Sequence, residues 1–282
     1  MLVLSVQSAD LEVTARRVIN MKLLNLGQTC LSPDYVLAHT EICTALVEAI
    51  KRELSGIYPG EDLQQNTDLG RIINAHHVKR LAGLLKDHGG KVERGGHVDE
   101  DDRFVDFTII VDPKHDSALM KEEIFGPILP ILEVSGVDEA MKFINQRETP
   151  LAAYPFTKDD KVRDRFISGV PAGGICVNDC IYHLVSNDLG FGGKGNSGMG
   201  KYRGKWSFST FSHRKPVAYQ SMSFDPRARY PPFATQNLSL IKRVVSGFPP
   251  WMTYTLKASC VVALAVAVNV FLSYVKIDIQ LR

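Results

Sequence analysis

Residues 25–30 read Asn-Leu-Gly-Gln-Thr-Cys and are followed by Leu-Ser-Pro-Asp, which places Cys30 at a break between two regular segments. A cysteine reacts as its thiolate, and backbone N–H groups around a nucleophile favour that form. We therefore interpret Cys30 as a candidate nucleophile. The alternative is a structural role, since free cysteine is among the residue types most often buried in protein cores.

A second run, residues 122–127, reads Glu-Glu-Ile-Phe-Gly-Pro about ninety residues downstream of the cysteine. Taken alone, this run has an ordinary interpretation. Glu123 is then a solvated carboxylate at a helix end, and Phe125 is an aromatic residue of the core. The run indicates a functional site only in combination with the cysteine motif.

Together the two runs resemble the active-site signatures of the aldehyde dehydrogenase superfamily, specifically its class 3 branch, which includes the fatty aldehyde dehydrogenases. The similarity extends from about residue 10 to residue 233, and the other family-like landmarks keep their order along the chain. These landmarks are Pro33-Asp34-Tyr35-Val36-Leu37, Arg71-Ile72-Ile73-Asn74, Gly173-Gly174 with Asn178-Asp179, Ser197-Gly198-Met199-Gly200 and Thr210-Phe211-Ser212-His213.

The resemblance implies a reaction in which Cys30 attacks a long-chain aldehyde, the thiohemiacetal passes hydride to NAD or NADP, and water hydrolyses the resulting thioester to a carboxylic acid. It also implies that Glu123 holds the nicotinamide ribose and that Phe125 packs by the nicotinamide ring. Asn178 matches a family asparagine that is expected to support the site without reacting. The backbone N–H of Cys30 is the expected first donor to the developing oxyanion.

The chain also departs from the family pattern. The catalytic glutamate of the family lies in a Glu-Leu-Gly-Gly-Lys run before the cysteine, and this chain begins just after the expected position of that run. We therefore expect the activity to be incomplete without an N-terminal half. Two alternatives stay open: an inactive membrane-anchored module that modulates an intact aldehyde dehydrogenase by dimerisation, and a thiol esterase that uses Cys30 without nicotinamide.

Composition and charge indicate which kinds of molecule the chain binds. The chain is 45% hydrophobic and 23% charged, which is ordinary for a globular protein. Residues 227–282 carry a net charge of +6 and the preceding residues −4, a distribution that argues against nucleic acid and for a membrane-facing end. Five scattered cysteines indicate a reducing compartment. Cys176, Cys180 and His183 lack a second ligand pair at zinc spacing, so we predict no metal site.

Residues 258–275 form an uncharged run of eighteen residues between Lys257 and Lys276. As a helix, this run rises roughly 27 Å, close to the ~30 Å of a bilayer core. We predict that residues 234–282 are a basic juxtamembrane segment with a tail anchor, and that the body faces the cytosol on an intracellular membrane such as the endoplasmic reticulum. The alternative is a buried core helix, which Asn269 in the middle of the run favours.

Helical and strand-like segments alternate from about residue 40, which predicts an α/β fold with a mostly parallel sheet flanked by helices. Residues 1–207 form the predicted catalytic domain, and the resemblance implies that this chain lacks the N-terminal coenzyme domain of the family. The resemblance places an oligomerisation strand and linker at residues 208–233, where residues 208–219 would pair the subunits of a homodimer. The predicted elements are a helix capped by Thr40, helices at 78–85, 137–146 and 161–167, and strands at 104–111, 128–134, 151–156 and 174–177.

Residues 193–198 match the pattern G-x-G-x-x-G of dinucleotide-binding loops. That fingerprint requires an apolar helix after the glycines and an acidic residue about 20 positions later. Here a basic, turn-rich stretch follows the glycines. We therefore interpret the glycine run as an ordinary loop.

Overall fold

The computed structural model describes residues 2–60 and 62–220, with isolated positions at 222, 223, 225, 227, 230, 231, 242 and 259. The chain divides into two compact units, residues 1–214 and 215–282. Within the described part of the chain, no helix is long and apolar enough to cross a membrane. The predicted anchor at 258–275 lies outside the described residues, position 259 excepted, and stays a prediction.

A seven-stranded sheet forms the centre of the first unit, in the order β3-β6-β7-β2-β1-β8-β9. Six strands run parallel and β3 pairs antiparallel with β6 at one edge. A separate hairpin is formed by β4 and β5. The strands are β1 (Leu2–Ser5), β2 (Tyr35–His39), β3 (Lys91–Arg94), β4 (Val98–Asp99), β5 (Phe104–Val105), β6 (Thr108–Val111), β7 (Ile128–Val134), β8 (Ala152–Phe156) and β9 (Gly174–Ile175).

Helices cover both faces of the sheet, because side chains along the strands alternate between two apolar clusters. Val3 packs in one cluster with α1 and α2, and its neighbour Leu4 packs in the other with α4 and α5. This arrangement confirms the predicted α/β fold with a mostly parallel sheet. The helices are α1 (Leu11–Leu23), α2 (Thr40–Ile57), α3 (Ala75–Leu84), α4 (Val137–Asn145), α5 (Asp160–Gly169), α6 (Tyr182–Val185) and α7 (Gly204–Thr210).

Two of the local predictions need correction. The N-cap of α2 is His39, whose Nδ1 accepts a hydrogen bond from the N–H of Glu41 at 3.2 Å, so Thr40 is the first helical residue. The predicted strand at 104–111 is divided into β5 and β6. The division lies at Asp106, where the N–H donates to His97 O at 2.9 Å and leads the chain out of the hairpin.

Strand β7 has the predicted bounds, whereas β1 was not predicted at all. Residues 2–5 pair on both sides, with β2 and with β8, and therefore lie in the middle of the sheet. A four-residue apolar run carries too little periodicity to identify a strand. The oligomerisation strand predicted at residues 208–219 is not seen: residues 208–210 are the last residues of α7, and in the part of the chain that the structure describes residues 211–220 have no regular secondary structure. Pairing between subunits through this segment stays a prediction.

The parallel strands place three connecting loops at one edge of the sheet. The segments before β2, β7 and β8 all lie at the amino ends of their strands, and these three strands are close neighbours in the sheet. We call this side the amino edge and the opposite side the carboxyl edge. The amino edge brings together residues 30–34, 122–126 and 149–151.

Candidate active site

Three consecutive left-handed residues turn the chain toward Cys30. Asn25, Leu26 and Gly27 have φ angles of 53°, 50° and 72° after the end of α1. Asn25 and Gln28 bond across this turn, since Asn25 Nδ2 donates to Gln28 O at 2.9 Å and Gln28 Nε2 donates to Asn25 O at 3.1 Å. Left-handed backbone is costly for leucine, so the turn persists because its surroundings fix it.

Cys30 itself is exposed at the end of this turn. Its backbone N–H makes no hydrogen bond with the residues that the structure describes, so this donor is available to a ligand, as expected from the sequence. The next residue is buried and anchored from the sheet, because the hydroxyl of Tyr154 in β8 donates to Leu31 O at 3.0 Å. Cys30 is therefore accessible while the backbone that carries it is fixed.

The loop that carries Glu123 is attached directly to the cysteine loop. Asp34 Oδ1 accepts the N–H of Ile124 at 2.9 Å, and Arg80 Nη2 from α3 donates to Ile124 O at 2.6 Å. A Cβ added to Gly27 would lie well inside van der Waals distance of Gly126 O, so the two glycines allow a close approach of the two backbones. Residues 27–34 and 123–126 thus form one rigid unit.

A cavity of about 610 Å³ opens at the amino edge and brings Cys30 and Glu123 to one site. Phe125 is not among the residues that line it. The lining also includes Asn196 and Ser197 from the glycine-rich loop, which contains a short 3-10 turn instead of a phosphate-binding helix. The remaining wall is Asp34, Tyr35, His115, Leu119, Met120, Lys121, Glu122, Ile124, Gln146, Arg147, Glu148, Thr149, Pro150 and Leu151.

The carboxylate of Glu123 makes no hydrogen bond or ion pair with any residue that the structure describes. The residue is exposed at the rim of the cavity, but protein atoms remove part of the water around its carboxylate. This desolvation and the nearby charge of Asp34 raise the pKa of Glu123, while the amino terminus, Lys22 and Arg80 act in the opposite direction. Glu123 is therefore a hydrogen-bond acceptor without a protein partner, which fits a hydroxyl-bearing ligand such as a ribose.

Phe125 lies next to Glu123 in the loop and has an unusual backbone conformation. Its φ is 49°, a left-handed value that an aromatic residue seldom adopts, and its side chain is 39% exposed. The neighbours on either side are fixed, Ile124 by its two hydrogen bonds and Gly126 by its contact with Leu81. The loop therefore presents an aromatic ring on the surface next to Glu123, which corrects the alternative that Phe125 is a core aromatic.

The other described cysteines have surroundings that suppress reactivity. Cys43 and Cys180 are buried, and burial raises the pKa of both thiols, in Cys43 to about 12. Cys176 is half-buried and its pKa is raised for the same reason. Cys30 is thus the accessible thiol of the described chain and is not the buried structural cysteine of the alternative interpretation. Among the described residues, no group of three His, Cys, Asp or Glu side chains is arranged to hold a metal ion.

Asn178 lies at the opposite edge of the sheet. Its side chain exchanges two hydrogen bonds with the backbone of Thr157, at 2.7 and 2.9 Å, just after the end of β8. Leu151, just before β8, lines the cavity of Cys30, and the five residues of β8 span roughly 16 Å. The expected support of the site by Asn178 is therefore not seen as a direct contact. Asn178 instead lines a smaller cavity of about 230 Å³ at the carboxyl edge.

Sequence reasoning missed two residues that position the site, Tyr154 and Lys22. Tyr154 fixes Leu31, and Lys22 is only 1% exposed in the last turn of α1, where its Nζ donates to Pro33 O at 2.7 Å. The available signal for Lys22 was weak. It falls on the apolar face of α1, four residues after Val18, where an amphipathic helix is expected to carry an apolar residue.

The described chain is thus an α/β unit with a mostly parallel sheet and an accessible cysteine at the amino edge of that sheet. The aldehyde dehydrogenase family model matches residues 3–217. A mouse aldehyde dehydrogenase described as dimeric and NADP-preferring is 46% identical over 228 residues, which cover 80% of this chain and 50% of that protein. Mouse aldehyde dehydrogenase family 3 member A2 is 44% identical over 238 residues, which cover 84% and 49%.

The fold comparison agrees with these sequence matches. The substrate-bound structure of AldH from Staphylococcus aureus has a TM-score of 0.76 and 40% identity, covering 86% of this chain and 53% of that one. The chain therefore belongs to the aldehyde dehydrogenase family, and the resemblance to its class 3 branch is confirmed. It spans about half the length of the curated relatives it matches.

Proposed function

We propose that this chain carries the thiol site of an NAD- or NADP-dependent dehydrogenase that oxidises aldehydes to carboxylic acids. The observation that carries this proposal is the rigid unit of residues 27–34 and 123–126, which brings an accessible Cys30 and the partner-free carboxylate of Glu123 into one cavity. Membership of the aldehyde dehydrogenase family supports the reaction class.

Cys30 is the nucleophile of the proposed reaction. Its sulfur attacks the aldehyde carbon to form a thiohemiacetal, and the backbone N–H of Cys30 donates to the oxygen on which charge develops. Loss of hydride from that carbon leaves a thioester on Cys30. Water attacks the thioester, releases the carboxylic acid and returns the free thiol. Acceptance of the hydride is the chemistry that a bound nicotinamide coenzyme supplies.

Two residues of the chain fit the coenzyme. Glu123 would accept hydrogen bonds from hydroxyls of the nicotinamide ribose, since its carboxylate has no partner among the described residues. Phe125 would offer its exposed ring to the nicotinamide ring. The name of the mouse relative, NADP-preferring, supports NADP as the first coenzyme to test and NAD as the second.

Acylation of Cys30 tests the thiol chemistry directly. We expect p-nitrophenyl acetate to add one acetyl group to the purified chain, detected by intact-mass spectrometry, and the Cys30→Ala variant to lose it. Cys176→Ala is the matched control and should react like wild type, because its thiol is half-buried. Acetylation that persists in Cys30→Ala would contradict the assignment.

Coenzyme dependence separates the candidate functions. With a long-chain aldehyde and NADP or NAD, a dehydrogenase produces reduced coenzyme, measured by absorbance at 340 nm. Acylation without reduced coenzyme would favour the thiol esterase. Loss of both activities, together with an effect of the chain on an intact aldehyde dehydrogenase, would favour the modulating module.

We also propose that the substrates are lipid-derived aldehydes and that residues 258–275 hold the chain on the cytosolic face of an intracellular membrane. The uncharged eighteen-residue run supports this location. The full chain should resist extraction from membranes by alkaline carbonate, whereas a chain that ends at residue 257 should be released. Equal extraction of the two chains would refute the anchor.

A homodimer is proposed from two observations. A relative of this chain carries the word dimeric in its name, and the side chains of Phe208 and Phe211 are 76% and 89% exposed in the segment predicted to pair subunits. Light scattering on the chain ending at residue 257 should give twice the monomer mass. The double variant Phe208→Ser with Phe211→Ser should shift the population toward monomer, and a wild-type monomer would contradict the proposal.

A further inference from the structure

Lys22 is a buried lysine that packs against the loop carrying Cys30. The residue is 1% exposed, and its single described hydrogen bond joins Nζ to Pro33 O at 2.7 Å. Its Cδ lies beside Gly27, where the cysteine loop meets the Glu123 loop. Lysine is almost never fully buried unless it is paired, and Lys22 forms no ion pair within 4 Å among the described residues. Its burial therefore needs an explanation in longer-range charge interactions.

The charged groups around Lys22 belong to the candidate active site. The carboxylates of Asp34 and Glu123 both stabilise its ammonium form. The other positive charges that act on Glu123 are the amino terminus of the chain and Arg80 of α3, and Arg80 already donates to Ile124 O and lies 3.8 Å from Glu122. Asp34 is bonded to the N–H of Ile124. Lys22 is thus the internal positive charge between two loops that each carry an acid.

We propose that Lys22 is a positioning residue of the active site, whose buried ammonium group fixes the cysteine loop and keeps Glu123 ionised as an acceptor for the coenzyme ribose. This role rests on the function proposed above. It differs from catalysis, because Lys22 has no access to the cavity and acts through Glu123 and the backbone of Pro33.

Opposing effects act on the pKa of the Glu123 carboxyl group. Desolvation and the negative charge of Asp34 raise the pKa of Glu123, and the positive charges of the amino terminus, Lys22 and Arg80 lower it. If Lys22 is replaced by an uncharged residue, the raising effects are less opposed and the protonated form of Glu123 becomes more stable. A protonated carboxyl group has lost part of its acceptor capacity, so ribose binding weakens where Glu123 titrates.

The titration of Glu123 tests the proposal without turnover. We would label the full chain with glutamate carrying ¹³C at the side-chain carboxyl and assign Glu123 by the resonance that Glu123→Gln removes. Lys22→Met should raise the pH midpoint of the Glu123 titration, because the carboxylate then binds its proton more tightly, on the order of tenfold. Lys79→Met is the control, since Lys79 is a surface lysine of α3 that is 69% exposed. An unchanged midpoint in a folded Lys22→Met variant would overturn the proposal.

A second measurement needs no variant at position 22. Burial lowers the pKa of Lys22 to about 8, so the Glu123 resonance of wild type should show a second, smaller inflection near pH 8, when the lysine loses its charge. Asp34, Arg80 and the amino terminus also act on this pair, and the amino terminus is acetylated before the titration because a free α-amino group itself titrates at about pH 8. A Glu123 resonance that is flat between pH 7 and pH 9.5 would overturn the coupling even if Lys22→Met fails to fold.

Coenzyme binding connects the coupling to function. Calorimetry with NADP should give a weaker affinity for Lys22→Met than for wild type, and the loss should grow as the pH falls through the Glu123 titration. A loss that is the same at every pH would instead indicate general damage and would count against the proposed role. If wild type shows the coupling but binds neither NADP nor NAD, coenzyme binding by this chain alone is refuted while the electrostatic role of Lys22 stands.

Discussion

Polar side chains at the two edges of the sheet differ in whether they have hydrogen-bond partners. At the carboxyl edge, Asn178 exchanges two hydrogen bonds with Thr157, and Arg17 lies 3.6 Å from Asp179. At the amino edge, the Glu123 carboxylate has no partner among the described residues, and Lys22 is buried with one backbone contact. The exposed Glu123 carboxylate is thus an acceptor that the described residues leave open, whereas both ends of the Asn178 amide are occupied, and this contrast marks the amino edge as the place prepared for a ligand.

The backbone shows the same contrast. Asn25, Leu26, Gly27 and Phe125 are all left-handed at the amino edge. Left-handed asparagine is common, so the one such residue beside the carboxyl-edge cavity, Asn178, is conformationally inexpensive. Strain of this kind costs stability and persists where the surroundings determine the conformation. We therefore expect substitutions at the amino edge to change Cys30 chemistry, and substitutions at the carboxyl edge to change stability alone.

Gly27→Ala should have the largest effect. The new Cβ meets the backbone oxygen of Gly126, and alanine is strained at φ 72°, so the two loops must separate. We expect a loss of about 3 kcal/mol or more in the free energy of unfolding, measured by urea denaturation, and slower alkylation or acylation of Cys30. Gly70→Ala is the control, because no atom lies within 4 Å of its added Cβ. Equal stability of the two variants would contradict the close approach of the loops.

Much of the fold was predictable from the sequence because its signals are local. The 2-residue and 3.6-residue periodicities located β7, β8, α4 and α5 within two residues of their bounds. Strand β1 was missed because four apolar residues do not distinguish a strand from other structures. The division of β5 from β6 depends on pairing with β4, which is information from a distant segment of the chain.

The candidate site was predictable only through its motifs. Residue type and family resemblance pointed to Cys30, Glu123 and Phe125, and the structure places the first two in one cavity. The roles of Lys22 and Tyr154 depend on parts of the chain that are far apart in sequence, since Tyr154 is 123 residues from Leu31. Asn178 makes no direct contact with the site for a topological reason, because a residue after β9 lies at the carboxyl edge.

Lys22 should make stability depend on pH at the amino edge. Its pKa in the folded chain is about 8, below the ordinary value of 10.5, so between these values the unfolded chain binds the proton more tightly. Stability therefore rises with pH in that window. Relative to Lys22→Met, wild type should gain about 2–3 kcal/mol in the free energy of unfolding between pH 7 and pH 10. The comparison removes the titration of other groups, and a constant difference across this range would show that the lysine titrates normally.

Asn178→Ala should lower stability without affecting the thiol. The substitution removes the two bonds that satisfy the backbone of buried Thr157 and leaves alanine at φ 58°. We expect a loss of about 1–2 kcal/mol in the free energy of unfolding. The rate of Cys30 alkylation by iodoacetamide should stay within about twofold of wild type if the edges are independent. Asn178→Gly separates the two causes, because glycine keeps the left-handed backbone while losing the side chain. A large fall in the alkylation rate would show that the carboxyl edge supports the site after all.

Tyr154→Phe should have the smallest effect on the free energy of unfolding. Its effect on the alkylation rate of Cys30 should be larger than that loss of stability alone would produce. The ring stays packed in the core, and the hydroxyl loses its hydrogen bond to Leu31 O, which costs about 1 kcal/mol, and its interaction with the backbone of Ile181. That bond connects β8 to the residue next to Cys30, so its loss frees the nucleophile loop more than it weakens the fold. We expect a larger change in the alkylation rate of Cys30 than in Asn178→Ala, despite the smaller loss of stability. Tyr182→Phe is the control at a side chain that is 66% exposed. If the two tyrosine variants alkylate at the same rate, the left-handed turn at 25–27 and the contact with Gly126 fix the loop without help from the sheet.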